Sequence, residues 1–404
     1  MTVHSFDGIM TLHIFNPEHD LALAAGTACF TPPPAALRLR RSLGFLPALW
    51  AAEGDAVLAD DAAAAVEALQ RVAADARQHI GTQPAAGVIF VEGGGLKVEG
   101  GGLKVEPWGW DAALRGRLCR MGVPGVAMPG DGEMETVREL SHRRTSARLA
   151  ALLQGDRLQG VMTGLVAKEC YTVAEVREAT ASAGMAVLKA PWSSSGRGVR
   201  LVGTTATGGW HGGMRMSALD DGSLRGWLQN VIKKQGGIMV EPYHRKVMDF
   251  GMEFEATDAG VAYCGLSLFT TAGGAYTGNL LATERVKRGM MEQYVPSEVT
   301  DSVRDSLCRH LTAVLRDSYR GPLGVDMMVC NGGTEEGGGA EGGYMVHPCV
   351  EINLRRTMGH VALALTPAAD SLLAVMQVRP SGMSITPLRL SPSTLIVPAA
   401  GPLP

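Results

Sequence analysis

Apolar and polar residues follow two different periods along this chain, one typical of strands and one typical of helices. Near the N-terminus the apolar run 12–15 ends at Asn16-Pro17 and is followed by an Ala- and Leu-rich segment. Residues 47–78 carry Ala, Leu and Val at helical spacing, which predicts one or two helices. A strand, a polar turn and a helix in succession are typical of an α/β domain, which is the fold class that we expect.

The middle of the chain is predicted to be helical. Residues 131–155 predict one helix, with Arg143 and Arg144 near its middle. Thr172 and Glu175 have the spacing of a capping box, which predicts the start of the next helix.

From residue 185 onward most segments are predicted to be strands. Asp258-Ala-Gly260 predicts a hairpin turn between two of them. A helix over residues 302–319 leads into a strand over 321–330, whose predicted partner is 344–359.

Two segments are predicted to lie outside the regular elements. The heptapeptide GGGLKVE occurs twice in tandem, over residues 93–99 and 100–106, which predicts a lengthened surface loop or hairpin. The Pro-rich tail over residues 389–404 is predicted to be irregular.

Composition narrows the class of protein. Apolar residues make up 46% and charged residues 19% of the chain, which is typical of a globular protein. The net charge is -3 without a basic block, so nucleic-acid binding is not expected. The opening residues do not predict a secretory signal, and no apolar run approaches the ~18–20 residues that span a bilayer. The seven cysteines contain no C-x-x-C pair, so we expect reduced thiols in a cytoplasmic protein.

A lysine followed by a Ser- and Gly-rich loop stands between two predicted strands. The sequence over residues 185–203 is MAVLKAPWSSSGRGVRLVG. A Rossmann fingerprint would continue into a helix, and a Walker A loop would place the lysine after the glycines, so neither fits. The pattern indicates either a hairpin whose tip binds phosphate, with Lys189 neutralising charge, or a plain glycine turn between surface strands.

A second group of polar residues lies far along the sequence. Glu351 and Asn353 are two residues apart in a predicted strand, so both side chains leave the same face. A carboxylate beside an amide oxygen suits Mg²⁺, and Asp326 on the predicted partner strand adds a second carboxylate. The alternative is a row of solvent-facing polar residues, which is common on strands.

A polar cluster follows the first predicted strand. Asn16, Glu18, His19 and Asp20 stand where α/β folds place ligand sites, at the carboxyl end of a strand. The same residues are also typical of a turn followed by a helix cap, so both interpretations stay open.

Taken together, the lysine–glycine hairpin, the segment IMVEPY, the segment GVD and the pattern E-x-N-x-R resemble the ATP-grasp superfamily over residues 136–365. The resemblance implies a pre-ATP-grasp-like α/β domain over residues 1–135, on the substrate side. It further implies a small lid domain over 136–238 with the phosphate loop, a larger domain over 239–385 with the metal ligands, and an irregular tail over 386–404.

The resemblance also implies roles for single residues. Lys189 resembles the lid lysine that contacts the phosphates, and Arg355 resembles the arginine that steadies the transferred phosphate, with Arg356 as the fallback. Glu241 resembles the hinge acid near the adenine amino group, and Asp249 resembles the acid that usually binds the ribose. The full set implied for the nucleotide is Arg143, Arg144, Lys189, Ser194, Ser195, Gly196, Gly198, Glu241 and Asp249. The set implied for the metal is Asp326, Glu351 and Asn353.

The chain departs from the family pattern at two places. Members often carry a lysine upstream of the lid lysine at the start of a helix, where this chain has Arg143 or Arg144. An arginine can bind phosphate with two donors, so the role is retained. Some members carry an arginine two residues before the first metal carboxylate, where this chain has Gly324.

ATP-grasp enzymes typically phosphorylate a carboxylate to an acylphosphate, which an amine or a thiol then attacks. The resemblance therefore implies a ligase that uses ATP and Mg²⁺, with Mn²⁺ as an alternative. The implied partners are a small-molecule or peptide carboxylate and an amine or thiol acceptor, without nucleic acid or membrane, and a homodimer is left open. A small-molecule kinase with the same ATP clamp and a non-catalytic nucleotide-binding protein are the other two functions left open.

Overall fold

The structure is a computed structural model, which describes residues 10–84, 87–93, 102–193, 198–203, 210–211, 214–218, 221–272, 275–332, 343–379 and 381–388. Three predictions lie wholly or partly outside these residues. They are the loop residues Ser194, Ser195 and Gly196, most of the first GGGLKVE copy, and the tail from residue 389.

The elements follow one another as helices and strands of ordinary length. The first part contains β1 (Met10–Ile14), α1 (His19–Ala25), α2 (Pro34–Leu43), β2 (Ala56–Leu58), α3 (Ala62–Ile80), β3 (Ile89–Val91), β4 (Leu103–Pro107), α4 (Ala112–Arg120), α5 (Asp131–Leu140) and α6 (Arg143–Gly155). The middle contains β5 (Lys168–Cys170), α7 (Val173–Ala183), β6 (Met185–Lys189), β7 (Val199–Gly203), β8 (Trp210–His211), β9 (Met214–Ala218), α8 (Gly222–Gln235) and β10 (Ile238–Pro242). The last part contains β11 (Lys246–Thr257), β12 (Gly260–Ala272), β13 (Ala275–Leu281), α9 (Glu284–Met291), α10 (Ser297–Leu315), β14 (Gly321–Asn331), β15 (Tyr344–Asn353), α11 (Met358–Ala364), β16 (Ala374–Arg379) and β17 (Gly382–Pro387).

The chain divides into two compact units, and each is discontinuous in sequence. Unit 1 comprises residues 1–139, 278–286 and 354–389. Unit 2 comprises residues 140–277, 287–353 and 390–404. The predicted domain boundaries after residues 135, 238 and 385 stay a prediction.

Unit 1 is built on a parallel sheet with the strand order β3-β2-β1-β4. Leu12 and Ile14 of β1 are buried together with Leu114 and Leu118 of α4, because a parallel sheet needs helices to cover its faces. α3 begins at the N-cap Asp61, whose side chain accepts from the Ala64 N–H at 2.9 Å. Because β1 runs parallel to both β2 and β4, the carboxyl ends of these three strands meet at one edge of the sheet.

Unit 2 contains two sheets within its described residues. The first has the strand order β5-β10-β6-β7-β9-β8, and α7 and α8 contribute to its buried core. The second includes the antiparallel run β15-β14-β11-β12, against which α6 and α10 pack. On β11 the buried Phe250, Met252 and Phe254 alternate with Asp249, Gly251 and Glu253, so one face is apolar and the other carries polar groups.

The structure confirms the mixed α/β class and several predicted elements. Thr172 caps α7 by accepting from the Glu175 N–H at 3.2 Å, and the hairpin at residues 258–260 joins β11 to β12. The segment 131–155 is helical as predicted, but it forms two helices, because the chain breaks after Leu140 and His142 caps the second one. Among the described helices, none combines the length and the apolar composition that crossing a bilayer requires.

Candidate functional site

Lys189 and Glu241 lie side by side in unit 2. Lys189 is the last residue of β6, and Glu241 is the second-last residue of β10. The two strands are antiparallel neighbours, with Met239 opposite Lys189 and Glu241 opposite Val187. The Lys189 Nζ donates to Glu241 Oε2 at 2.5 Å and to the Val350 carbonyl at 3.4 Å. The structure thus brings together Lys189, the predicted phosphate ligand, and Glu241, the predicted hinge acid. Lys189 also contacts Val350, the residue before Glu351 in β15.

The three predicted metal ligands share one face of the second sheet. Asp326 of β14 is directly opposite Glu351 of β15, and Gly324 is directly opposite Asn353. Residues directly opposite each other in a sheet point to the same side. The Asn353 Nδ2 donates to Asp326 Oδ2 at 3.0 Å, so the amide oxygen of Asn353 stays available as an acceptor.

Arg143 connects the phosphate loop to the predicted metal ligands. It is the first residue of α6 and only 6% exposed. Its Nη2 lies 3.0 Å from Glu351 Oε1 and donates to Ser193 Oγ at 3.2 Å, while its Nε donates to the Ala190 carbonyl at 3.0 Å. Of the two candidate arginines, the structure places Arg143 with these groups.

Arg144 points to a different partner. Its Nη2 donates to Glu169 Oε1 of β5 at 2.9 Å. The two arginines follow each other on a helix, and consecutive helical residues face different directions. The structure therefore separates the two residues that the sequence could not tell apart.

Asp249 lies on the same face of the second sheet as Asp326. Gly251, two residues further along β11, is directly opposite Asp326, so Asp249 and Asp326 point to the same side. The Asp249 Oδ2 accepts from Lys246 Nζ at 2.6 Å and from Thr271 Oγ1 at 2.7 Å. Its predicted contact with a ribose stays a prediction.

The polar face includes a further carboxylate, Glu253, which the sequence analysis missed. Glu253 is 3% exposed and directly opposite Gly324. A Cβ added to Gly251 would lie 3.5 Å from Asp326 Oδ1 and 3.6 Å from Glu253 Oε1, so any side chain at this position would contact both carboxylates. The alternation Asp249, Gly251, Glu253 was the signal that could have identified it. Within the described residues, no three His, Cys, Asp or Glu side chains converge as a metal site, so a cation here would need Asn353.

A half-open pocket lies beside the Lys189–Glu241 pair. Its walls come from α6, the segment 165–167, β10 and β15, and they include Glu241, His244, His347 and Cys349. Burial lowers the pKa of His347 to about 3, with the charges of Lys189 and His244 adding to the effect. Burial also lowers the pKa of His244 and raises that of Cys349, so these three side chains are neutral at pH 7.

His347 brings an unused hydrogen-bonding atom to this pocket. Its Nδ1 is buried and has no hydrogen-bond partner among the described residues. The rings of His244 and His347 meet edge to face, with 5.6 Å between centroids. A largely uncharged wall with flat rings suits a heteroaromatic base better than it suits a phosphate.

Gly198, at the far end of the phosphate loop, is packed closely. Its carbonyl accepts from the Ala190 N–H at 2.8 Å. A Cβ at this position would overlap Ser193, so the closing turn of the loop requires glycine.

Arg355 belongs to unit 1, where Asp20 holds it. The Arg355 Nε donates to Asp20 Oδ1 at 3.0 Å, and its Nη2 donates to Asp20 Oδ2 at 2.9 Å. Arg356 lies over the Trp50 ring at 4.7 Å from its centroid. The bidentate pair fixes the orientation of the Arg355 guanidinium, and its catalytic role stays a prediction.

In the polar cluster after β1, the side chains of Asn16 and His19 form hydrogen bonds within the fold. The Asn16 Nδ2 donates to the Gly109 carbonyl at 2.8 Å and to Asp111 Oδ2 at 3.0 Å. His19 Nδ1 lies 3.2 Å from the same Asp111 oxygen. All three side chains are buried, and Asp111 caps α4. Asn16 and His19 therefore tie the end of β1 to the start of α4, which favours the structural interpretation for these two.

The comparisons with known proteins give matches by structure only. No family model matches the sequence, and no curated protein matches it. The chain is similar to N5-carboxyaminoimidazole synthetase from Staphylococcus aureus complexed with ADP, at a TM-score of 0.44 and 11% identity, with 93% of this chain and 83% of that chain covered. It is also similar to D-alanyl-alanine synthetase A from Vibrio cholerae, at a TM-score of 0.39 and 12% identity, with 90% and 92% covered.

A third structure, L-amino acid ligase from Bacillus licheniformis, matches at a TM-score of 0.38 and 12% identity, with 92% of this chain and 80% of that chain covered. All three proteins are ATP-grasp ligases, the superfamily that the motifs of this chain resemble. At TM-scores below 0.5 the matches carry no argument about activity, which has to come from the chain's own residues.

Proposed function

We propose that this protein is an ATP-dependent ligase that activates a carboxylate as an acylphosphate for attack by an amine or a thiol. The observation that carries the proposal is the contact of Arg143 with both Ser193 and Glu351. It joins the phosphate loop to the metal carboxylates, two segments that are remote in sequence. A cytoplasmic location and a homodimer stay predictions.

The donor set fits a hard divalent cation such as Mg²⁺. Asp326, Glu351 and Asn353 offer two carboxylates and one amide oxygen on one sheet face. Oxygen donors of this kind, completed by water and phosphate oxygens, are what Mg²⁺ takes in nucleotide-dependent enzymes. When bound, the ion would offset negative charge on the transferred phosphate.

The cations of the site are paired with acids that nucleotide and metal can replace. Lys189 pairs with Glu241, and Arg143 pairs with Glu351. Phosphate oxygens would replace the carboxylates of Glu241 and Glu351 as the partners of Lys189 and Arg143. The released carboxylate of Glu351 would then be available to the metal. Lys189 and Arg143 would thus exchange one anionic partner for another when MgATP binds, so neither buried cation is left unpaired.

The reaction then follows from where the charges lie. A carboxylate oxygen attacks the γ-phosphorus of ATP, ADP leaves, and an acylphosphate forms. The amine nitrogen attacks the acyl carbon, inorganic phosphate leaves with the bonding electron pair, and the nitrogen loses a proton. Lys189 and Arg143 supply the positive charge that lowers repulsion between the two anions. The pocket beside Glu241 would hold the base of the nucleotide.

The test is acceptor-dependent release of ADP and phosphate by the full chain with MgATP. Amino acids, short peptides and polyamines serve as the panel of carboxylates and acceptors. Lys189→Met and Glu351→Gln are expected to lower turnover at least about 100-fold, the scale of removing a group that stabilises the transition state. Lys168→Met and Glu178→Gln, two exposed residues of unit 2, are the matched controls and should keep full turnover.

Three outcomes separate the candidate functions. Phosphate release only with both substrates present supports the ligase. A phosphorylated product without free phosphate would show a kinase instead. If MgATP neither binds nor changes the melting temperature, both enzymes are excluded.

A further inference from the structure

A second polar site lies in unit 1, at the carboxyl edge of the parallel sheet. Glu18 follows β1 and Asp60 follows β2, while Arg40 comes from α2 and Arg117 from α4. This edge is where parallel α/β sheets bind ligands, because the loops after the strands converge there.

The four side chains form one chain of ion pairs. The Arg40 Nη1 donates to Glu18 Oε1 at 2.6 Å, and its Nε donates to Asp60 Oδ2 at 2.9 Å. The Arg117 Nη2 donates to the other Asp60 oxygen, Oδ1, at 3.1 Å. The cluster holds two positive and two negative charges, so no net charge is left over.

One carboxylate oxygen in this cluster lacks a donor. Glu18 is 7% exposed, and its Oε2 is buried without a hydrogen-bond partner among the described residues. Leaving a buried acceptor of this kind unpaired is unfavourable, and more so when it is charged. The cluster thus offers an oxygen for one more cationic donor beside Glu18.

Arg117 offers the opposite charge at the other end of the cluster. Only its Nη2 is used within the cluster, and its side chain is 27% exposed, so the guanidinium has donors left for a ligand. Burial lowers the pKa of Arg117, and the charge of Arg40 lowers it further. A second anion beside Arg117 would offset that repulsion.

From these two ends we propose that the cluster binds the zwitterion of an α-amino acid. The ammonium group donates to Glu18 Oε2, and the carboxylate accepts from Arg117. An inorganic anion would leave Glu18 Oε2 without a donor, and a polyamine would leave the remaining Arg117 donors unused, so a zwitterion makes use of both ends. That the bound amino acid is the amine substrate of the ligase rests on the proposed function, whereas the binding itself does not.

The first experiment uses the wild-type full chain without ATP. The probes are the proteinogenic α-amino acids, their N-acetyl derivatives and their carboxamides, and the readouts are the melting temperature and calorimetric titration. At least one free amino acid is expected to bind and to raise the melting temperature. Its N-acetyl derivative and its carboxamide should each bind at least about tenfold more weakly, since each loses one charge-assisted contact.

Two variants locate the site. Glu18→Gln and Arg117→Gln should each weaken binding of that amino acid at least about tenfold. Arg120→Gln, an exposed residue of the same helix as Arg117, and Glu53→Gln, an exposed residue of unit 1, are the matched controls and should bind as wild type does. If Glu18→Gln fails to fold, the comparison of the three wild-type probes still decides.

The inference is overturned if no α-amino acid binds, if the N-acetyl derivative binds as tightly as the free amino acid, or if both variants keep wild-type affinity. Binding of MgATP is measured on the same samples. Amino-acid binding without MgATP binding would reject the ligase and keep this site, and the reverse result would reject this site and keep the ligase.

Discussion

His347 carries a buried imidazole whose pKa is lowered to about 3, first by burial and then by the charge of Lys189. Below the unfolded value of about 6.5 the unfolded chain therefore binds a proton that the folded chain does not. Stability is consequently lost as pH falls from about 6.5 towards 3, by up to about 1.4 kcal/mol per pH unit.

His347→Leu removes the imidazole that takes up this proton on unfolding. The stability of the variant should therefore fall less steeply than that of the wild type over the same pH range. Urea unfolding at several pH values measures the slopes. His79→Leu on α3 is the matched control and should keep the wild-type slope. Parallel curves for wild type and His347→Leu would show that the imidazole does not titrate in this way.

Arg143 and Glu351 provide a test of coupling at the residue scale. Arg143 is buried, and Glu351 is partly buried. Arg143→Met also removes the hydrogen bonds that Arg143 donates to the Ser193 hydroxyl and to the Ala190 carbonyl. We expect the single change to cost about 2–3 kcal/mol of folding free energy, because it leaves acceptors unpaired.

A double-mutant cycle with Glu351→Gln isolates the pair itself, and about 1–2 kcal/mol of coupling is expected. Arg144, the next residue of α6, and Glu169 of β5 form the control pair, in which Arg144 is 38% exposed. Exposed pairs contribute less than about 1 kcal/mol. Equal coupling in the two cycles would contradict the special position of Arg143.

At the scale of elements, a substitution at Gly251 tests the role of the polar face of β11. Gly251→Ala adds a Cβ 3.5 Å from Asp326 Oδ1, 3.6 Å from Glu253 Oε1 and 3.3 Å from the Val325 carbonyl. The methyl group would occupy the space that the proposed cation and its water need. We expect MgATP-dependent turnover to fall at least about tenfold, while stability changes by less than about 1 kcal/mol.

Gly289→Ala in α9 is the control for Gly251→Ala, since nothing lies within 4 Å of its added Cβ. It should keep full turnover, and as a helical Gly→Ala change it should leave the fold as stable or more stable. Measured Mg²⁺ affinity separates a lost cation from a distorted strand. Unchanged turnover in Gly251→Ala would place the cation elsewhere.

The same elements show what the sequence could predict. The two-residue period of β15 was enough to put Glu351 and Asn353 on one face, and the structure confirms that face. The cap at Thr172 was predictable because it depends on residues three apart. Such local signals also predicted β1 with α1 and the hairpin of β11 and β12.

The missed features depend on residues that are distant in sequence. Arg40, Asp60 and Arg117 meet only because β2 and β4 lie on either side of β1, with α2 following β1 and α4 following β4, which no local pattern contains. β2 itself has three residues and was included in a helical segment. The break between α5 and α6 depends on the His142 side chain accepting from the Arg144 N–H, and histidine is not a typical cap.

At the scale of the whole molecule, two predicted site residues that are close in sequence belong to different units. Asn353 is the last residue of the segment 287–353 of unit 2, and Arg355, two residues later, belongs to unit 1. The proposed metal and nucleotide ligands of the described residues lie in unit 2, and the proposed amino-acid site lies in unit 1. Each unit is thus expected to respond to its own ligand.

Hydrogen exchange measured by mass spectrometry on the full chain tests this division. MgATP should slow exchange in β6, β10 and β15, because bound ligand stabilises the backbone that carries Lys189, Glu241 and Glu351. An α-amino acid without nucleotide should instead slow exchange in α1 and α4, next to Glu18 and Arg117. The Lys189→Met chain is the control, since it should lose the first pattern and keep the second. If MgATP left β6 and β10 unchanged, the nucleotide would not bind where Lys189 and Glu241 meet.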